Sequence, residues 1–100
     1  MDKKKHEWSS IENFIIEVLL KVRSTLSIEE INAVEHYLKH SEFEMAFEGL
    51  FIEIMKMKTP PVIDYKKSKE IAEVLRLNEE SVFDSDFWIK FERYVNANIS

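Results

Sequence analysis

A chain of 100 residues with a single glycine, Gly49, and two prolines that are adjacent, Pro60 and Pro61, has few places to turn tightly. Antiparallel strands need a tight turn at every connection, and those turns draw on Gly and Pro. Helices need only a cap at each end. The scarcity of turn residues therefore predicts an all-α fold. A length of 100 residues allows one modest core. The expectation is a single domain over 1–100, a compact antiparallel bundle of four to five helices, with 1–8 as a flexible basic N-terminus. Seven Phe, three Tyr and two Trp in a chain that is 45% apolar argue against disorder.

Three segments start with the same signature: Ser9-x-x-Glu12, Ser27-x-x-Glu30 and Ser41-x-x-Glu44. Each reads as a capping box, in which the Ser oxygen takes a free N–H of the first turn and the Glu reaches back to the Ser N–H. The apolar residues that follow recur at i, i+3, i+4 and i+7, the helical period. The first helix is expected over about 10–24, with Ile11, Phe14, Ile15, Val18, Leu19 and Val22 inward. The second spans about 28–39, burying Ile31, Val34 and Leu38. The third spans about 42–58, burying Phe43, Ala46, Phe47, Leu50, Ile54 and Met57. Pro60 and Pro61 break it, since proline disfavours helix in the residue before it. A fourth helix over 65–77 places Ile71, Val74 and Leu75 inward. After a loop at 78–85, a fifth over 86–96 buries Phe87, Phe91, Tyr94 and Val95.

With no cysteine, the chain has no disulfides and no thiol nucleophile. The first residues are basic but precede no apolar run, so neither a signal peptide nor a membrane span is read, and a cytoplasmic location is expected. Net charge is −5, and it is unevenly spread. Residues 41–55 carry Glu42, Glu44, Glu48 and Glu53 with no base, and 79–86 carry Glu79, Glu80, Asp84 and Asp86 with none. Residues 56–78, between them, carry six bases against three acids. Nucleic-acid binders show the opposite balance, so direct nucleic-acid binding is not expected. An acidic surface attracts basic proteins.

No catalytic set is evident: there is no glycine-rich phosphate loop, nucleophile elbow or framed Ser-His-carboxylate arrangement. His36 and His40 stand at the spacing that lets two imidazoles share a metal. A third ligand is not apparent, and two solvated surface histidines are the simpler reading, so no metal and no cofactor is assigned. On the third helix, Met45 and Ile52 lie roughly 180–200° from Phe43 at 100° per residue. Gly49 lies between them, with Glu42, Glu48 and Glu53 at the border. This strip either packs inside the bundle or forms an exposed apolar surface ringed by carboxylates. The second acidic block contains Phe83, an aromatic among charges, which either anchors an interface or plugs the core from a linker whose acids are merely solvated. The candidate partner-binding residues are thus Glu42, Met45, Glu48, Ile52 and Glu53, with Glu79, Glu80, Phe83, Asp84 and Asp86.

The stretch Leu26 to Met55, with its Leu26-Ser27-x-Glu29-Glu30 helix start, leads to the acidic-aromatic run Glu42-Phe43-Glu44-Met45-Ala46-Phe47-Glu48. After a short break, a helix ends near Ile71-Ala72-Glu73-Val74-Leu75-Arg76-Leu77. This order resembles the MafI-type immunity proteins of bacterial polymorphic toxin systems, over about half of the chain. The family usually has Gly where Ser41 stands, and Gly49 lies outside its pattern. The resemblance implies a protein that is not an enzyme. It would bind and neutralise a cognate toxin domain, often a nuclease, as in contact-dependent growth inhibition. The acidic blocks suit a nuclease's basic cleft. An alternative from another class is a helical adaptor that recognises a peptide or self-associates.

Overall fold

The computed structural model describes the backbone of residues 2–99 and the side chains of residues 8–99. Five helices follow in order: α1 (Asp2–Val22), α2 (Ile28–Lys39), α3 (Phe43–Met55), α4 (Tyr65–Val74) and α5 (Phe87–Asn98). A 3₁₀ turn, Arg23–Thr25, extends α1, and the described residues form no strand. The chain is an all-α bundle, and among the described residues no helix is long and apolar enough to cross a membrane.

Ser27 makes the expected capping box: its Oγ accepts the Glu30 N–H at 3.1 Å, and Glu30 Oε1 accepts the Ser27 N–H at 2.8 Å. The other two Ser-x-x-Glu signatures serve different ends. α1 begins at Asp2, ahead of the expected Ser10, so Ser9 is interior to the helix. The expected flexible 1–8 segment consists largely of residues whose side chains lie outside the described part. Ser41 terminates α2 instead of starting α3. It takes a left-handed φ of 57°, its N–H donates to the Leu38 carbonyl, and the Glu42 N–H donates to Tyr37. This is a Schellman turn, normally given to Gly because a Cβ is disfavoured there. The same turn closes α4, with Arg76 at φ 61° and the Leu77 N–H donating to Ala72. It tucks Leu77 into the core and ends α4 short of the expected 77. At its start, α4 is capped by Asp64, whose side chain accepts the Lys67 N–H at 2.9 Å.

The directions of the helices alternate. Glu42 follows directly on α2, so α3 returns antiparallel beside it, while Trp8 near the start of α1 stacks on Phe43 at the start of α3. Tyr65 at the start of α4 meets Tyr94 near the end of α5. The core forms around α3. Phe47, Phe51, Phe87 and Phe91 are fully buried, with ring centres 4.6–5.6 Å apart in stacked and edge-on pairs, geometries in which the ring quadrupoles attract. Every expected inward residue of α1 and α2 is buried. Val74 is the exception on α4: it is half-exposed, because α4 shows its Ile71–Ala72–Leu75 face to the core.

Candidate functional site

The connection between α4 and α5 turns three successive backbone N–H groups onto one carboxylate. The Val82 N–H donates to Glu48 Oε1 at 2.8 Å, and those of Phe83 and Asp84 donate to Oε2 at 2.7 and 2.9 Å. Glu48 is 0% exposed. A carboxylate accepts and cannot donate when ionised, and loop amides outside any helix need acceptors, so each side satisfies the other. Glu48 is therefore not a partner-contacting residue, contrary to expectation. A position about 140° from Phe43 on the wheel is free only if the helix is covered on one side, and here the loop covers it.

The clamp fixes Phe83 with its ring 50% exposed. The ring lies over Gly49, where an added Cβ would stand 3.7 Å from Phe83 Cε2, an ordinary contact. Its centre is 5.9 Å from that of Tyr37 on α2. Val82, the residue before Phe83, lines a groove of about 720 Å³ together with Glu44, Met45, Leu75, Arg76, Glu79, Glu80 and Ser81. Arg76 pairs with Glu79 at 2.9 Å, and this bond holds the Glu79 carboxyl below the usual range. Asp84 accepts from Lys90 Nζ and from the Asp86 N–H, both at 2.9 Å, and Lys90 chiefly pulls its pKa down. Glu44, Glu80 and Asp86 form no ion pair among the described residues. The rim of the groove is thus net negative: Glu79 is paired with Arg76, while Glu44 and Glu80 form no ion pair among the described residues.

The expected strip on α3 does not stay together. Met45, half-buried, joins the groove just described. Ile52 is half-buried in a different groove between α3 and α5, among Met55, Tyr94 and Ala97, where Lys56, Lys90 and Arg93 form the charged rim with Asp84. Glu53 faces Glu30 on α2; burial raises its pKa, and the Glu30 carboxyl adds to the rise. Glu42 is half-buried at the start of α3 and makes no side-chain cap bond. Of the loop set, Glu79, Glu80, Phe83 and Asp86 are exposed and Asp84 is half-buried. Sequence reasoning missed Tyr37, Glu44 and Val82 as parts of this surface. Glu44 was visible as one more acid in the block; nothing local marks Tyr37. Among the described residues, no three His, Asp or Glu side chains converge on a metal-sized space.

No family model, curated protein or solved structure matches the chain.

Proposed function

We propose that this chain is an immunity protein, a binding protein and not an enzyme, that neutralises a basic toxin domain in the cytoplasm of the cell it protects. The observation that carries the reading is a half-exposed aromatic, Phe83, on a carboxylate-clamped loop whose preceding residue, Val82, lines a groove with Glu44, Glu79 and Glu80. An anchor fixed before binding loses little conformational freedom on docking. Carboxylates around it speed encounter with a positive surface such as a nuclease's substrate cleft. The resemblance over Leu26 to Leu77 points to the same class of function. On this reading Phe83, Val82 and Met45 supply the apolar contact, and Glu44, Glu80 and Asp86 pair with Lys or Arg of the toxin without a cofactor.

The reading frame immediately upstream of this chain supplies the test. Its C-terminal domain, expressed alone, is expected to arrest growth, and co-expression of this chain is expected to restore it. Phe83→Ala is expected to weaken the complex roughly thirtyfold or more, the scale of an interface hot spot, while the helical circular-dichroism signal stays intact. Glu44→Lys with Glu80→Lys is expected to slow association and flatten its salt dependence. Full protection by the combined triple variant, or no toxin encoded upstream, would reject the proposal.

A further inference from the structure

We infer that the last turn of α2 is a two-imidazole chelate for a late first-row divalent ion, Cu(II) above all, held by His36 and His40. Both side chains are exposed, and their ring centres are 4.5 Å apart with the planes tilted by 57°. Four residues apart on a helix, they project from the same face one turn above the other. The separation matches one coordination geometry better than another. With metal–nitrogen bonds of about 2.0 Å and roughly 1.2 Å from a ring nitrogen to the ring centre, two imidazoles at right angles around one ion have centres about 4.5 Å apart, against about 5.2 Å at the tetrahedral angle. The observed spacing is that of neighbouring positions in a square or octahedral set. The rings need to turn to aim their nitrogens, but they need not move closer or further apart.

The surroundings fit an open site. Glu35, the adjacent carboxylate, is engaged by Arg23 at 3.0 Å and does not join the pair. Two protein ligands cannot close the four-coordinate shell that a structural zinc site requires. They suit an ion that tolerates water in its remaining positions, and for nitrogen ligands affinity peaks at Cu(II) in the divalent series. His40 is the C-cap of α2, and Ser41 beyond it is in the left-handed conformation. A bound ion would therefore tie the C-cap of α2 to the helix's final turn. The site is independent of the proposed toxin contact and stands or falls separately.

The experiment is a Cu(II) titration of the full chain in a His6→Ala background, which leaves His36 and His40 as its imidazoles, followed by calorimetry and by electron paramagnetic resonance. One ion per chain is expected, with a spectrum showing coupling to two nitrogens. His36→Ala and His40→Ala are each expected to weaken binding at least tenfold, with Ni(II) and then Zn(II) binding more weakly than Cu(II). Both positions are exposed, so the unliganded variants are expected to keep the parent's melting temperature. Equal Cu(II) affinity in parent and His36→Ala/His40→Ala double variant, coupling to a single nitrogen, or Zn(II) binding more tightly than Cu(II) would each overturn the inference.

Discussion

Two stretches carry the chain's densest negative charge, 41–55 in α3 and 79–86 in the connection to α5, and the fold treats them in opposite ways. On α3, Glu48 is drawn fully inside and Glu53 is pressed against Glu30, so the helix contributes Glu44 and part of Glu42 to the surface. On the loop, Glu79, Glu80 and Asp86 stay exposed. The difference comes from the backbone. Inside α3, the amides are bonded within the helix, so its carboxylates must find partners elsewhere. In the loop, the Glu79 and Glu80 amides donate to the Arg76 carbonyl, and those of Val82, Phe83 and Asp84 take the buried acceptor Glu48. One carboxylate of the first stretch is thus consumed in presenting those of the second. Clusters of acids in a sequence are not interchangeable, since the free N–H groups decide which are buried.

The largest effect is expected where the two stretches meet. Glu48→Ala removes the acceptor of three N–H groups and leaves a gap beneath the loop. It is expected to destabilise the fold by about 3–5 kcal/mol, since three N–H groups lose their acceptor at about 1–3 kcal/mol each and water entering the gap recovers part of that cost. Urea denaturation measures this. Amide exchange tests the assignment: Val82, Phe83 and Asp84 are expected to lose protection ahead of the core. Glu48→Gln is expected to cost about 1–2 kcal/mol, because its NH₂ group faces a donor where an acceptor was needed. Unchanged exchange at 82–84 in Glu48→Ala would mean that something other than this carboxylate holds the loop.

Much of the fold was legible because it depends on short-range pattern. Ile11 to Val22 repeat with the helical period, and Ser27 with Glu30 completes a cap within four residues. What the sequence concealed depends on distant partners or on ambiguous local ones. Glu48 reads as a surface acid until a loop more than thirty residues away covers it. Phe51 is buried because α3 is surrounded by α1, α2 and α5, so a stripe analysis assuming one buried face leaves it out. Ser41-x-x-Glu44 has the letters of a capping box, yet Ser41 is committed to ending α2. Phe83 reads as either an anchor or a core plug, while the exposure of Glu79, Glu80 and Asp86 was readable. The α3 strip was not, because Met45 and Ile52 share a helical face but enter different grooves.

Both acidic stretches are entered through a Schellman turn whose left-handed residue is not glycine, Ser41 before α3 and Arg76 before the loop. Relieving that strain is expected to stabilise the protein. Ser41→Gly is expected to add about 1 kcal/mol, less the extra freedom that glycine gives the unfolded chain. Arg76→Gly is expected to gain less, because it also removes the exposed Arg76–Glu79 pair. Thermal melts rank the two. A greater gain at Arg76 would show that the loop stretch is the more strained of the two.

The smallest effects carry the sharpest contrast, because one acid from each stretch is shifted in the opposite direction. Glu53 is raised by burial and by Glu30, so its favourable contribution is present below its ordinary pKa of 4.5 and is lost as pH rises through its folded value. Glu53→Gln is expected to raise the melting temperature at neutral pH, by the equivalent of a few tenths of a kcal/mol, and to change nothing near the acid end. Asp84 is lowered by Lys90, so its contribution is present above its ordinary value of 3.8 and fades as pH falls through the folded one. Asp84→Asn is expected to lower the melting temperature at neutral pH, with the loss vanishing in acid. The asparagine oxygen can still accept the Asp86 N–H, so what is removed is mainly the charge facing Lys90. Substitutions that shifted the neutral-pH melt in the same direction would mean that the two stretches experience the same electrostatic surroundings, and the contrast between a helix that absorbs its acids and a loop that displays them would fail.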